Sequence, residues 1–123
     1  MERLTNVEEL MMHCIWNYGD GMPFLQMGKE LKEKYGKEYK RTSIRTYLFR
    51  LEEKGYIKVE RQGRKAYIWK CIDKEDYKKE KAQNLLDQWF DGSAVELVNA
   101  LSDKVPKGEK ERLNDILDDM DFI

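Results

Sequence analysis

The sequence predicts a mainly α-helical chain with a small β-hairpin, divided into an N-terminal unit over residues 1–71 and a C-terminal unit over residues 72–123. Three observations carry that prediction. Apolar residues recur at helical spacing in successive segments up to residue 54. Two stretches of period two, residues 56–60 and 65–70, then flank a turn that contains Gly63. Finally, the charge balance inverts along the chain. Residues 1–70 hold 15 Lys+Arg and 10 Asp+Glu, whereas residues 71–123 hold 8 and 14. Overall the net charge is −1, so only the local excess of +5 in the first part speaks for a polyanionic partner.

Residues 5–18 read as the first helix. Thr5 and Glu8 have capping-box spacing. Val7, Leu10, Met11, Cys14 and Ile15 follow at core-facing positions, and Gly19-Asp20-Gly21 breaks the helix. His13, the single histidine, has no partner pattern and reads as a helix-flank residue. Met22-Pro23-Phe24 is short and extended, because Pro23 disfavours helical backbone in the residue before it. A second helix spans residues 25–35, with Met27, Gly28, Leu31 and Tyr35 on its inner face. Gly28 is expected to admit the first helix closely, and Gly36 to end the segment.

The third helix, residues 41–54, has two faces. Ile44, Tyr47, Leu48 and Leu51 form an apolar stripe. Thr42, Thr46 and Phe49 point the other way, with Arg45 and Arg50 on the flanks, Thr42 or a neighbour as the cap, and Gly55 as the terminator. The hairpin follows, with Arg61-Gln62-Gly63-Arg64 as its basic turn and Lys65 at the start of its second strand.

Helix, extended piece, helix, helix, strand, strand is the order of a winged helix-turn-helix. A helix that buries one side and offers threonines, arginines and an aromatic on the other suits a groove of duplex DNA. The basic hairpin tip would supply phosphate contacts. The competing reading keeps this fold as a protein–protein adaptor whose basic patch serves an acidic partner. An enzyme is not supported, since no metal-spaced cluster, phosphate loop or nucleophile–base pattern is present. No cofactor is implied.

The second part reads as three helices. Asp73 is placed to start the first of them, in which Tyr77, Ala82, Leu85, Leu86, Trp89 and Phe90 supply apolar contacts. Ser93 and Glu96 repeat the capping-box spacing ahead of Val95, Leu97, Val98 and Leu101. Leu113, Ile116, Leu117 and Met120 mark a last helix. So small a piece buries a modest core alone, and its apolar stripes suit a second copy of the chain, the alternative being that the helices fold back on the winged unit of a monomer. The cysteines, Cys14 and Cys71, form no CxxC pair and are expected to be buried or half-buried free thiols. No run approaches the roughly 18 apolar residues of a membrane span. The N-terminus is acidic where a signal peptide is basic. A cytoplasmic protein is expected.

The stretch TSIRTYLFRLEEKGYIKVERQGRKAYIW resembles the penicillinase-repressor family (BlaI/MecI/CopY type). Thr46, Arg50, Leu51, Lys54 and Gly55 fall on the family pattern, and Met12 and Trp16 match its Met-x-x-x-Trp helix end. The resemblance implies a homodimeric transcriptional repressor on a palindromic operator, the family's dyads being built on TACA/TGTA. By position, Arg41, Thr42, Arg45 and Thr46 would face bases or nearby phosphates, with Ser43 among the DNA-binding residues, and Phe49 would either meet a thymine methyl or pack under the wing. Lys40 and Arg50 would hold phosphates, and Arg61, Arg64 and Lys65 would reach the flanking backbone. The acidic tail would be the dimerisation region. The chain departs from the family's common pattern at Lys40-Arg41, where Ser-Pro is frequent, at Glu9, where a tryptophan is frequent, and at Phe49, where Asn is frequent. The antibiotic-resistance repressors are inactivated by a sensor protease at an Asn-Phe bond. Here the corresponding pair is Asn99 and Ala100, so the Asn is kept and the Phe is not. No cysteine follows Cys71, which argues against the C-terminal cysteine cluster of the copper-responsive members.

Overall fold

A computed structural model describes residues 3–102 together with Lys104 and Gly108. The last expected helix, with Leu113, Ile116, Leu117 and Met120, lies outside the described residues. The elements run α1 (Asn6–Tyr18), β1 (Met22–Pro23), α2 (Phe24–Tyr35), α3 (Arg41–Glu53), β2 (Ile57–Gln62), β3 (Lys65–Lys70), α4 (Lys74–Trp89) and α5 (Ala94–Leu101). The chain divides into two compact units, Met1–Lys74 and Glu75–Ile123.

Helix α1 starts on the expected capping box. The Thr5 hydroxyl accepts from the Glu8 N–H at 3.3 Å, and Glu8 Oε1 accepts from the Thr5 N–H at 2.9 Å. Met11, Met12, Cys14 and Ile15 are buried, so the apolar face is wider by Met12 than the periodicity marked. Helix α2 begins one residue before the expected start and buries Met27 and Leu31. Gly28 faces α3 rather than α1: a Cβ there would lie 3.3 Å from Ile44 Cδ1. The small residue therefore serves the packing of the second helix against the third.

Helix α3 buries Ile44, Leu48 and Leu51. Its N-cap is Lys40, not Thr42, and no side chain caps it. The Lys40 carbonyl already accepts the Ile44 N–H at 3.0 Å, which puts Thr42 inside the first turn. An N-cap residue must be extended, and Lys40 is, with ψ 152°. After α3 the chain reverses at Gly55, and the Tyr56 N–H returns to the Leu51 carbonyl at 3.0 Å.

The sheet has three antiparallel strands in the order β1-β3-β2. The sequence foresaw only the β2–β3 hairpin. Met22 pairs with Ile68, both fully buried, so the extended piece after α1 docks on the outer side of β3. At the tip, the expected four-residue turn is a two-residue one. Arg61 pairs with Ala66 and Gln62 with Lys65, leaving Gly63 and Arg64 to turn the chain. Gly63 at the first turn position supplies the positive φ, +65°, that a type II′ hairpin needs. Backbone pairing continues past the last buried side chain because the ladder needs no core beneath it. Cys14 is buried as expected, but Cys71 is exposed, one residue past the end of β3. Trp16 Nε1 donates to the Ile72 carbonyl at 2.9 Å, tying α1 to the segment after the sheet.

Helices α4 and α5 contain no buried residue. Leu85, Trp89, Val95 and Leu101 are exposed, Trp89 at 75%. Tyr77, Leu86, Phe90, Leu97 and Val98 are half-buried. The Ser93 hydroxyl accepts from the Glu96 N–H at 3.2 Å and so caps α5. Among the described residues no helix is long and apolar enough to cross a membrane.

Candidate nucleic-acid interface

The outward face of α3 is intact. Lys40, Arg41, Thr42, Arg45, Thr46, Phe49 and Arg50 are exposed, and Ser43 is half-buried. On the hairpin, Arg61, Arg64 and Lys65 are exposed too. The three packed residues Ile44, Leu48 and Leu51 dictate this presentation, because they fix which side of the helix meets the core.

Helix α3, the start of α2 and the β2–β3 hairpin enclose an open cleft of about 770 Å³. Arg41 and Arg45 line it from α3, and Arg61, Arg64 and Lys65 line it from the hairpin. The structure thus brings together five of the basic residues expected to touch DNA. Lys40, Thr42, Ser43, Thr46 and Arg50 are not part of this lining. At about 100° per residue, Arg50 sits roughly 140° round the helix from Arg45. The two arginines therefore serve different sides of α3.

One carboxylate enters the cleft, and it is engaged. Glu52 Oε2 accepts the Val59 N–H at 2.8 Å, pinning β2 to α3. The Thr46 hydroxyl donates to the Thr42 carbonyl at 3.0 Å. The proton of this exposed residue is thus used within the helix, and its oxygen keeps both lone pairs as acceptors. The Arg45 guanidinium stands over the Phe24 ring, 5.7 Å from the centroid, a cation–π distance.

Phe24, Leu25 and Tyr67 also line the cleft and were not among the expected contact residues. Leu25 is 63% exposed, unusual for a leucine in the first turn of a packed helix. The available signal was Phe24-Leu25 directly after Pro23, two large apolar residues at a helix start. It could not be assigned without knowing that α2 opens beside the hairpin.

Beneath the face lies an ion pair. Lys54 Nζ is 2.8 Å from Glu8 Oε1, with Glu8 fully buried and Lys54 half-buried. Burial pushes the Glu8 carboxyl up, but hydrogen bonds from Lys54 and Thr5 outweigh it and leave Glu8 below its ordinary 4.5. Burial, helped by the charge of Glu30, pushes the Cys14 thiol up to about 11, so it is a neutral packing residue. Among the described residues no group of His, Cys, Asp or Glu is placed to hold a metal ion.

Three helices, a three-stranded sheet and a basic hairpin flanking the third helix define a winged helix-turn-helix. The family model of the penicillinase repressor matches residues 4–119, and the chain belongs to that family. Among solved structures, it is similar to the solution structure of the DNA-binding domain of the repressor BlaI. That similarity has a TM-score of 0.51 and 26% identity over 63% of this chain and 94% of that one. No curated protein matches significantly.

Proposed function

We propose that this chain is a DNA-binding transcriptional repressor that acts as a homodimer on a palindromic operator. The observation that carries the reading is the cleft where five cationic side chains from α3 and the hairpin converge beside one carboxylate already bonded to backbone. Such a surface neutralises phosphates along a duplex while α3 enters the major groove. Arg41, Arg45 and Phe49 read base edges, with Thr42, Ser43 and Thr46 beside them. Lys40, Arg50, Arg61, Arg64 and Lys65 hold the backbone.

The dimer is supported by the apolar residues that α4 and α5 leave in water, Leu85, Trp89, Val95 and Leu101. Two copies joined there present two recognition helices, and a two-fold protein reads a two-fold site. Asn99 and Ala100 are exposed in α5, and a sensor protease acting at that bond must first unwind the helix. Titration of the full chain against a library of duplex dyads, followed by fluorescence anisotropy, tests the reading. Selection of a palindrome with salt-sensitive affinity is expected. Equal affinity for every member of the library rules the repressor reading out and leaves the adaptor.

A further inference from the structure

Phe49 is the one large apolar side chain on the outward face of α3, and 60% of it is exposed. It faces the cleft, beside Arg45 one helical turn earlier. It lies off the buried side of the helix, which Ile44, Leu48 and Leu51 fill. Beside it only the small methyl of Thr46 is also apolar and exposed, and it has no aromatic face. Thr46 has committed its proton to the Thr42 carbonyl, and Glu52 is held by Val59. The reading surface therefore offers guanidinium donors from Arg41 and Arg45, the small side chains of Thr42, Ser43 and Thr46, and one bare aromatic ring that is its largest apolar group.

In the major groove only thymine shows an apolar group, its 5-methyl, while guanine shows the acceptor pair that arginine prefers. We infer that Phe49 is a specificity-determining residue that reads a thymine methyl. The inference rests on the DNA-binding reading above. Arg45 and Phe49 stand about 6 Å apart along the helix axis. That is about two base-pair steps of ~3.4 Å. The thymine is therefore expected within about two steps of the base read by Arg45. The Arg45 guanidinium stands over the Phe24 ring, not the Phe49 ring.

The test uses the full chain and the duplex it selects from a randomised library. That duplex is resynthesised with uracil in place of each thymine in turn, which removes only the methyl. At one position per half-site the wild-type chain is expected to lose about fourfold in affinity, the worth of one buried methyl at ~0.8 kcal/mol. Phe49→Ala is expected to bind the thymine and uracil duplexes equally, and Phe49→Leu to retain part of the preference. The inference is overturned if no position shows the loss, or if the loss persists in Phe49→Ala. A library from which the wild-type chain selects no sequence overturns the DNA-binding reading itself, and this inference with it.

Discussion

Lys54 Nζ, at the C-terminal end of α3, lies 2.8 Å from Glu8 Oε1 in the first turn of α1. The same ammonium donates to the Arg3 carbonyl at 2.9 Å, and the same carboxylate oxygen caps the Thr5 N–H. One ion pair thus joins the capping box of the first helix to the end of the recognition helix. It sets where α3 ends relative to the core, and so how its outward face is presented. Lys54→Ala leaves a buried carboxylate without its cation. The expected cost is about 3 kcal/mol, the low end for a broken buried pair because Lys54 keeps some contact with water. Urea denaturation of wild type and variant measures it.

The same pair makes stability depend on pH. The folded-state pKa of Glu8 is below its ordinary 4.5, so the unfolded chain binds the proton more readily. The contribution is fully present above that value and is lost as pH falls through the folded pKa. A Glu8→Gln variant lacks this dependence. Thermal melts from pH 7 downwards are expected to show the gap between wild type and variant closing below pH 4.5. A constant gap across that range contradicts the assignment.

Gly21 is held at φ +67°, and a Cβ there would lie 3.2 Å from the Trp69 ring. Strain and crowding act together in Gly21→Ala, with an expected loss of about 1–3 kcal/mol. Trp69→Leu in the same background removes the crowding and leaves the strain. A double variant that recovers part of the loss, read by chemical denaturation, confirms the close approach.

The hairpin and the helix are expected to fail differently on DNA. Arg61→Ala and Arg64→Ala weaken binding alike for all sequences and reduce the salt slope by about 1 each. Arg45→Ala costs about 1–3 kcal/mol on the selected site and relaxes discrimination at one base pair. Anisotropy at several salt concentrations, on selected and scrambled duplexes, separates the two behaviours. An unchanged salt slope after the wing substitutions removes the wing from the interface.

Trp89 is 75% exposed on α4. If a second copy covers it, Trp89→Ala shifts the monomer–dimer equilibrium, and truncating an interface tryptophan typically costs 2 kcal/mol or more, roughly thirtyfold in the dimer constant. Sedimentation equilibrium checks this directly. An unaltered mass across a dilution series excludes Trp89 from the contact.

What could be read from the chain alone was what neighbours in sequence decide. The Thr5–Glu8 box, the apolar stripe of α3 and the alternation of the hairpin are local patterns of period 3.6 and 2. They placed the helices and the hairpin to within a few residues, and with them the exposed face of α3. What only the tertiary structure decided involves residues far apart. Glu8 and Lys54 give no sign in sequence that they meet, and neither do Met22 and Ile68, whose pairing adds β1 to the sheet. Gly28 was right as a close approach and wrong as to which helix approaches, because periodicity names a face and not what lies against it. The cleft belongs to this second kind. Its arginines were legible as charges on one helix and one hairpin tip, but Phe24, Leu25 and Tyr67 joined them only once packing brought the start of α2 beside the wing.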